Sequence, residues 1–326
     1  MKKEFKIKKY NFNKIVLFFI FIFIYIISFL FSPYYTDGDQ VPYTNAYNAV
    51  KGEDLITGFI SYQYNISSQE PIHYLIDWVF SNLNISKNVV MSFSNSLLAI
   101  SIGYLMIILD VSYLIIIITI FSNFYILVLY FAAERLKFGF LFLTISLIYN
   151  KNIFKNIVYI ILAIASHTQI IIFVFAKVFS TIVIKILIFF KNFKFKGKLK
   201  NILLLTIFVS PLFYLYDHIL SKFITYSGNA SNNGFLQNIW QTIIFSVIGI
   251  FYAKNKYEAT LMFLFILICS SILGPERITM MSYFLFFYYA LMYNKGMNIA
   301  IYITTFYFSI KSIFFIQRII ENGHGF

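Results

Sequence analysis

Long apolar stretches separated by short polar ones run along almost the whole chain. Many of them approach the roughly 20 residues that an α-helix needs to cross the hydrocarbon of a bilayer. Continuous runs such as Leu114–Ile118 lack the alternation that strands of a membrane β-barrel show. We therefore predict an all-α polytopic integral membrane protein with about 11 transmembrane helices, within a range of about 10 to 12. The predicted crossings lie near 15–31, 89–109, 111–131, 134–149, 153–173, 174–190, 201–217, 236–253, 259–274, 277–293 and 299–316.

The longest polar interruption, residues 33–88, follows the first crossing and is acidic. Within it, Pro71 opens a short segment whose apolar residues share one helical face, while His73 and Asp77 share another. This pattern predicts an amphipathic helix at 71–83 that lies at the membrane interface and exposes its polar face to solvent. Six of the 13 acidic residues of the chain lie in this interruption, at Asp37, Asp39, Glu53, Asp54, Glu70 and Asp77.

Composition supports the membrane assignment and sets the orientation. The chain is 60% hydrophobic and only 12% charged, and no polar stretch is long enough to bury a core of its own, so we predict a single domain over residues 1–326. The net charge of +13 is typical of cytoplasmic loops in a membrane protein, so no nucleic-acid partner is predicted.

Lysines cluster at residues 1–14 and 191–200, and the positive-inside rule places both in the cytoplasm. The loops at 33–88 and 218–235 then lie outside, and Asp39, Glu70, Arg135, His167 and Arg277 fall at or near the outer face. No small-residue cleavage site follows the first crossing, which favours an uncleaved anchor. The one cysteine, Cys269, lies in an apolar run, so neither a disulfide framework nor a cysteine metal site is predicted.

Arginine is scarce in this chain and marks candidate anion sites. There are 23 lysines and three arginines, and two of the arginines recur in the dipeptides Glu134-Arg135 and Glu276-Arg277. A planar bidentate donor at these positions is suited to a phosphate group. A local salt bridge is the alternative interpretation, and Arg318 near the C-terminus is a weaker candidate.

Carboxylates and histidines supply the other candidate groups. Asp37 and Asp39 form a D-x-D that suits a divalent cation on a diphosphate or a general base, although an Asp-Gly turn explains it equally well. Glu70 either caps the helix that follows or faces a reaction site. His73 and Asp77 form a weak metal half-site without a third ligand, so no metal is predicted. His167 lies within the apolar 153–173 segment with polar neighbours, and intramembrane ionisable groups are functional candidates.

The order of these short motifs resembles the Wzy-type bacterial polysaccharide polymerases, in particular their EpsG-like branch. The resemblance covers residues 15–290. The matching positions are Gly38-Asp39-Gln40 with Tyr43 and Tyr47, Glu70-Pro71-Ile72-His73-Tyr74, Glu134-Arg135 through Gly139, His167-Thr168, and Arg277-Ile278 with Tyr283.

The resemblance implies that the chain joins undecaprenyl-diphosphate-linked oligosaccharide units at the outer face of the bacterial cytoplasmic membrane. It implies no cofactor, lipid-linked donor and acceptor units as substrates, and a chain-length regulator protein as a partner. Arg135 and Arg277 would stabilise the departing diphosphate, and His167, Asp39 and Glu70, in that order, are candidates for the base. The residues expected to bind substrate are Tyr43, Tyr47, His73, Tyr74, Glu276 and Tyr283.

Other functions remain open at this stage. A GT-C-like polyprenyl-sugar glycosyltransferase would use a metal at Asp37 and Asp39, and an O-antigen ligase would carry a larger outer loop than 218–235. A flippase or transporter for the same lipid-linked units would need cations along the membrane depth, and no inverted repeat is visible. A structural assembly partner would not explain why the scarce arginines recur beside glutamate.

Overall fold

The computed structural model describes residues 2–192, 235–273 and 275–326, and in these ranges all regular structure is helical. Two segments of the sequence analysis, the basic loop at 191–200 and the loop at 218–235, lie almost wholly outside these ranges. We number the α-helices in chain order. They are α1 (Lys2–Phe31), α2 (Gln40–Ala49), α3 (Leu55–Ile66), α4 (Pro71–Asn82), α5 (Lys87–Ile108), α6 (Tyr113–Ser122), α7 (Phe124–Phe131), α8 (Glu134–Ile148), α9 (Ile153–Ser166), α10 (Ile171–Asn192), α11 (Phe235–Tyr252), α12 (Lys256–Leu273), α13 (Pro275–Leu291) and α14 (Ile299–Asn322).

Several of these helices have the length and apolarity of membrane spans. In the part of the chain that the structure describes, four segments meet both criteria, at Phe12–Tyr34, Lys87–Ile108, Thr168–Lys185 and Asn294–Asn322. The pair α6 and α7, bent by 50°, makes a fifth if it counts as one span. Shorter apolar helices lie at Ile153–Ser166, Ile239–Tyr252 and Ile278–Leu291. The architecture is that of an all-α membrane-embedded protein, and the count of about 11 crossings stays a prediction.

The described chain forms two compact units, one of residues 1–170 with 291–326 and one of residues 171–290. In the first unit the long helices alternate in direction. The end of α1 meets the start of α5, where Ser32 Oγ donates to Asn88 Oδ1 at 2.8 Å. Helices α8 and α9 form an antiparallel pair, and Asn156 Nδ2 donates to the carbonyl oxygen of Ser146 at 2.8 Å. This alternation agrees with the order of crossings predicted for this part of the sequence.

Helices α2, α3 and α4 form a small helical cap at one end of the first unit. Asp54 caps α3 by accepting hydrogen bonds from the backbone N–H groups of Ile56 and Thr57. Pro71 occupies the first turn of α4, where its missing N–H leaves no donor unpaired. The cap has an apolar core of its own, which contains Tyr43, Ala46, Val50, Tyr62, Ile66 and Tyr74. These residues come from α2 with its C-cap Val50, from α3 and from α4, so consecutive segments of the chain form this core.

Two breaks interrupt apolar segments of the first unit. The first separates α6 from α7 at Asn123, whose side chain accepts from the backbone N–H of Tyr125 and caps α7. The second ends α9 at Ser166, and His167 adopts extended backbone before the short 3₁₀ turn at Thr168–Ile170. The sequence predicted an unbroken crossing at 153–173, and this is wrong because the chain leaves the helix at His167. The polar side chains of this segment therefore lie at a helix terminus and not along a continuous helix.

In the second unit, α11 and α13 run in the same direction, since Thr242 faces Thr279 at 3.0 Å and Phe245 packs on Tyr283. Helices α10 and α12 are also parallel: Lys177 pairs with Glu258, and Phe179 packs on Phe265. The predicted topology has the segments at 174–190 and 259–274 crossing in opposite directions. That part of the prediction is wrong, because contacts advance together along both helices.

Candidate functional site

A buried carboxylate, Glu70, forms the centre of the candidate site. Its side chain is 1% exposed. One oxygen, Oε2, accepts hydrogen bonds from Arg135 Nη1 at 2.7 Å and from Ser68 Oγ at 2.9 Å. The other, Oε1, accepts from the backbone N–H of Thr168 at 3.0 Å and lies 2.7 Å from His167 Nδ1. Glu70 therefore joins three parts of the chain that are far apart in sequence.

The pKa of the Glu70 carboxyl follows from these contacts. Burial by itself favours the neutral acid and raises the pKa. The charges of His167 and Arg135, with hydrogen bonds from His167 and Thr168, outweigh burial and hold the pKa of Glu70 well below its usual range. A carboxylate held this firmly in the ionised form is a poor proton acceptor. Glu70 is therefore suited to orienting its neighbours and not to acting as the general base.

Arg135 lies in the first turn of α8 with one edge anchored and another accessible. Its Nε donates to the hydroxyl of Tyr43 at 3.3 Å, and its guanidinium carbon lies 5.9 Å from the centre of that ring. The Nη1 group is used by Glu70. The described residues give Nη2 no hydrogen-bond partner, and 12% of the side chain remains exposed. This arrangement leaves a positioned cation with an open donor, which is the chemistry that an anionic group requires.

His167 is fixed through one ring nitrogen and lines the site through the other. Nδ1 lies against Glu70, and Nε2 lies 3.2 Å from Gln169 Oε1, so each ring nitrogen faces an oxygen that accepts. Gly139 on α8 permits this placement, because a Cβ at that position would lie 3.2 Å from His167 Cβ and 2.8 Å from a side-chain carbon of Ile170. A carboxylate on Nδ1 sets the tautomer and orientation of an imidazole, as in hydrolase triads.

A second polar cluster lies beside the first and is more deeply buried. His73 Nδ1 lies 3.0 Å from the Tyr62 hydroxyl and 3.2 Å from Asp77 Oδ2, and its Nε2 lies 3.8 Å from Glu134 Oε2. Lys87 Nζ pairs with Glu134 Oε1 at 3.1 Å. The sequence predicted a solvated face for His73 and Asp77, and this is wrong, since both are almost fully buried. Helices α2 and α3 and the side chains of α8 cover that face of α4.

The acidic turn at Asp37–Asp39 lies at the same end of the unit but stays exposed. Asp39 precedes α2 without making a side-chain cap hydrogen bond, and its charge helps to raise the pKa of the Tyr43 hydroxyl. Burial is the larger cause of that rise, and Arg135 opposes it. The backbone N–H groups of Thr36 and Asp37 donate to the Gly323 carbonyl at 3.0 and 2.9 Å, so the segment after α14 holds this turn.

Four of the predicted substrate-binding residues are buried by packing. Tyr47 donates its hydroxyl to the Ile85 carbonyl and Tyr74 donates to the Leu55 carbonyl, so both complete the cap. His73 belongs to the second cluster, and Tyr283 packs between Phe245 and neighbouring rings of α13. Their predicted contact with substrate stays a prediction. Tyr43 differs from these four, because its hydroxyl bonds to Arg135 at the edge of the site.

The predicted contribution of Arg277 and Glu276 falls in the second unit. Their side chains lie outside the described residues, but their backbone lies in the first turn of α13. Since α13 begins where α12 ends, and α12 runs parallel to α10, Arg277 lies at the opposite end of this unit from Lys177. Its expected position on the same side as the start of α10 is therefore not supported.

Lys87 and Gln40 are members of the clusters that sequence reasoning missed. Lys87 donates to Gln40 Oε1 and Thr44 Oγ1 in addition to its pair with Glu134. The useful signal was the sequence Glu134-Arg135-Leu136-Lys137, because three charged groups in the first turn of an apolar helix require three partners.

No metal site emerges from this geometry. Among the residues that the structure describes, no three histidine, cysteine, aspartate or glutamate side chains come together as metal ligands. Comparison with family models, curated proteins and solved structures gives no match to this chain. The resemblance to the Wzy-type polymerases therefore stays a prediction, and function has to be argued from the site.

Proposed function

We propose that this chain is a membrane-embedded glycosyltransferase that polymerises lipid-diphosphate-linked oligosaccharide units into a polysaccharide. The observation that carries the proposal is the shared carboxylate: Glu70 holds a cation, Arg135, and an imidazole, His167, within one buried contact network. Transfer from a glycosyl diphosphate requires these two functions, a cation for the leaving group and a base for the acceptor. In this proposal the protein lies in the bacterial cytoplasmic membrane, with its N-terminus in the cytoplasm and about 11 crossings in total.

The reaction has a simple balance of bonds. The oxygen of an acceptor sugar hydroxyl attacks the anomeric carbon of the donor, and the bond from that carbon to the diphosphate oxygen breaks. The acceptor proton passes to a base, and the lipid diphosphate leaves with the bonding electrons. A glycosyl diphosphate carries its own activation, so no nucleotide is consumed.

Arg135 supports the proposal as the group that stabilises the departing diphosphate. Its Nη1 is held by Glu70 and its Nε by Tyr43, so the guanidinium is oriented before substrate arrives. Preorganised charge aimed at a developing anion is usually the largest single contribution to catalysis. Lysine carries the same charge but lacks the planar fork, and it is not expected to replace Arg135.

His167 is the group best suited to accept the proton. Glu70 holds Nδ1, and Nε2 faces away from the carboxylate and toward Gln169 Oε1. A half-turn of the Gln169 amide would present its N–H₂ group to Nε2 and leave that nitrogen as the acceptor of a neutral imidazole. In this scheme Glu70 is a positioning residue, and Asp39 at the exposed rim is the remaining candidate for contact with sugar hydroxyls. This assignment revises the role that the sequence suggested for Glu70.

The direct test is the length distribution of the polysaccharide made by cells that lack this gene and carry either wild type or variants. We expect wild type to restore a ladder, and Arg135→Lys and His167→Gln to leave single repeat units. Arg318→Lys on α14 is the matched control, because no contact joins Arg318 to the Glu70 network among the described residues, and it should restore the ladder. Membrane levels of each protein are compared by immunoblot.

Other outcomes identify other functions. If the null strain still makes a ladder whose repeat unit lacks one sugar, the chain is a glycosyltransferase that builds the unit. If lipid-linked units accumulate on the cytoplasmic side, the chain moves them across the membrane. A full ladder from both site variants at normal protein levels would refute the proposed mechanism.

A further inference from the structure

The strongest unexplained feature is a histidine enclosed between two carboxylates from different helices. His73 on α4 has Asp77 on one side, at 3.2 Å from Nδ1, and Glu134 of α8 on the other, at 3.8 Å from Nε2. The imidazole is fully buried, and the rings of Tyr43, Tyr62 and Phe138 surround it at 5.7 to 5.8 Å between centroids. It meets the Glu70 network only through the ring of Tyr43, whose hydroxyl accepts from Arg135, and it has no role in the reaction proposed above.

Several polar atoms around His73 are buried without a hydrogen bond of suitable geometry. They are His73 Nε2, both carboxylate oxygens of Asp77, and Glu134 Oε2. Buried polar atoms in folded proteins are usually paired, so a group of four in one place requires an explanation. All four belong to groups that gain or lose a proton. A small rearrangement with a change of protonation would pair them.

The charged and titratable groups that face His73 come from every element packed against it. Tyr43 lies on α2, Tyr62 on α3, Asp77 on its own helix, Lys87 on α5, and Glu134 with Lys137 on α8. When both carboxylates are ionised, the two lysines balance them, and the proton on His73 decides the remaining charge. A protonated imidazole has an N–H for each carboxylate, whereas a neutral imidazole has only one for the two.

This group also lies at the joint between the helical cap and the membrane-spanning helices. The cap contacts α8 through His73, and the neighbouring contacts of Glu70 with Arg135 and Thr168 attach the start of α4 to the same region. We propose that His73 is a positioning residue whose proton holds α4 against α8, so that the cap docks over the site in a pH-dependent way. The inference concerns docking alone and does not depend on the proposed reaction.

The direction of the pH dependence follows from proton counting. Burial, opposed by His73, raises the pKa of Asp77 to about 6. As the pH rises above this value, Asp77 gives up its proton and two buried carboxylates face the one imidazole of His73. Separation of α4 from α8 exposes these carboxylates to water, so undocking is coupled to proton release from Asp77. An equilibrium that releases one proton shifts by about tenfold per pH unit.

Thiol accessibility tests the joint directly. A cysteine is placed at Ser81, which is buried one turn beyond Asp77 on α4, in a Cys269→Ser background of the full-length protein in nanodiscs. Its reaction rate with a water-soluble maleimide is measured from about pH 6 to about pH 9. Each rate is divided by that of a cysteine at Tyr64, which is exposed on α3 and corrects for the pH dependence of the thiolate.

We expect the normalised rate to rise by about tenfold or more across this range in the parent protein. His73→Gln should give a higher rate than the parent throughout this range, because both carboxylates then lack the imidazole between them. The normalised rate of Asp77→Asn should stay low at every pH. In this variant a neutral imidazole can accept at Nδ1 from Tyr62 or the new amide and donate at Nε2 toward Glu134. A flat profile in the parent, a low rate in His73→Gln, or a rising profile in Asp77→Asn would overturn the inference.

Discussion

Replacing Glu70 with glutamine changes one atom type and removes one charge at the centre of the site. The side chain is 1% exposed, and its two oxygens face Arg135, Ser68, Thr168 and His167. Glutamine keeps the shape but leaves Arg135 without its counter-charge and presents an amide N–H₂ to groups that are donors. Removing one partner of a buried ion pair costs about 3–5 kcal/mol. We expect Glu70→Gln to lower the free energy of unfolding by this amount at neutral pH.

The assay is denaturant unfolding of the purified protein in detergent, arranged as a double-mutant cycle with Arg135→Met. Each single variant removes one charge, and the double variant removes the pair. The double variant should therefore lose about 2 kcal/mol less than the sum of the singles. Asp39→Asn is the matched control, since this carboxylate is exposed and should change stability by no more than about 0.5 kcal/mol.

The pH dependence gives an independent check. The pKa of Glu70 is well below its usual range in the folded protein, so the folded state binds its proton less tightly than the unfolded state. Its contribution to stability is full above the unfolded pKa of about 4.3 and is lost as the pH falls through the folded value. Wild type and Glu70→Gln should therefore converge in acid. Additive single variants, or a difference that persists unchanged in acid, would refute the reasoning.

Three further predictions concern single positions. Gly139→Ala places a Cβ 2.8 Å from Ile170 and 3.2 Å from His167, so we expect the free energy of unfolding to fall by about 1–3 kcal/mol and activity to be lost. Gly249→Ala is the control, because its Cβ meets Phe263 in the second unit. It should lower the thermal stability of that unit and leave the coupling between Glu70 and Arg135 intact. Gly323 has a φ of +73°, and a Cβ there would lie 2.8 Å from Thr36 Oγ1. Gly323→Ala should therefore lower the free energy of unfolding by about 1–2 kcal/mol and speed hydrogen exchange of the Thr36 and Asp37 amides. Normal protection of these two amides would contradict this. The pKa of Asp77 is about two units above its usual value, so the folded protein disfavours the ionised carboxylate. Asp77→Asn removes this charge and should raise the free energy of unfolding by about 3 kcal/mol above pH 6. The gain should vanish as the pH is lowered toward 3.8 in unfolding titrations.

The sequence was sufficient to predict the long helices of the first unit and their order, but not α2, α3 or the break at Asn123. Apolar runs of the length of a bilayer and the distribution of lysines place α1, α5, α8 and α9, and the amphipathic segment predicted at 71–83 is α4 at Pro71–Asn82. These features depend on local periodicity and chain alternation. For the same reason Glu70, Arg135 and His167 were expected at one end, and the structure brings them into contact.

What the sequence could not provide is which polar faces are covered and how distant helices align. His73 and Asp77 share a helical face, but only the packing of α2 and α3 decides that this face is buried. The position of Arg277 depended on a count of crossings through residues 193–234, and the contacts of Lys177 with Glu258 show the opposite alignment. His167 was placed within a helix because a terminus beside apolar residues has no cap signature in the sequence.

The helical cap has a consequence for how the protein is made. Glu70 emerges from the ribosome 65 residues before Arg135 and 98 residues before Thr168, its two partners from distant helices. At about 5–20 residues per second, the cap waits roughly 5–20 s before the last of these partners has been synthesised. The cap's own apolar core of Tyr43, Tyr62 and Tyr74 allows it to stay folded during that interval. The site is thus assembled only after α8 and α9 have followed the cap, and a variant that empties the cap core should fail during biogenesis even if the finished fold would tolerate it.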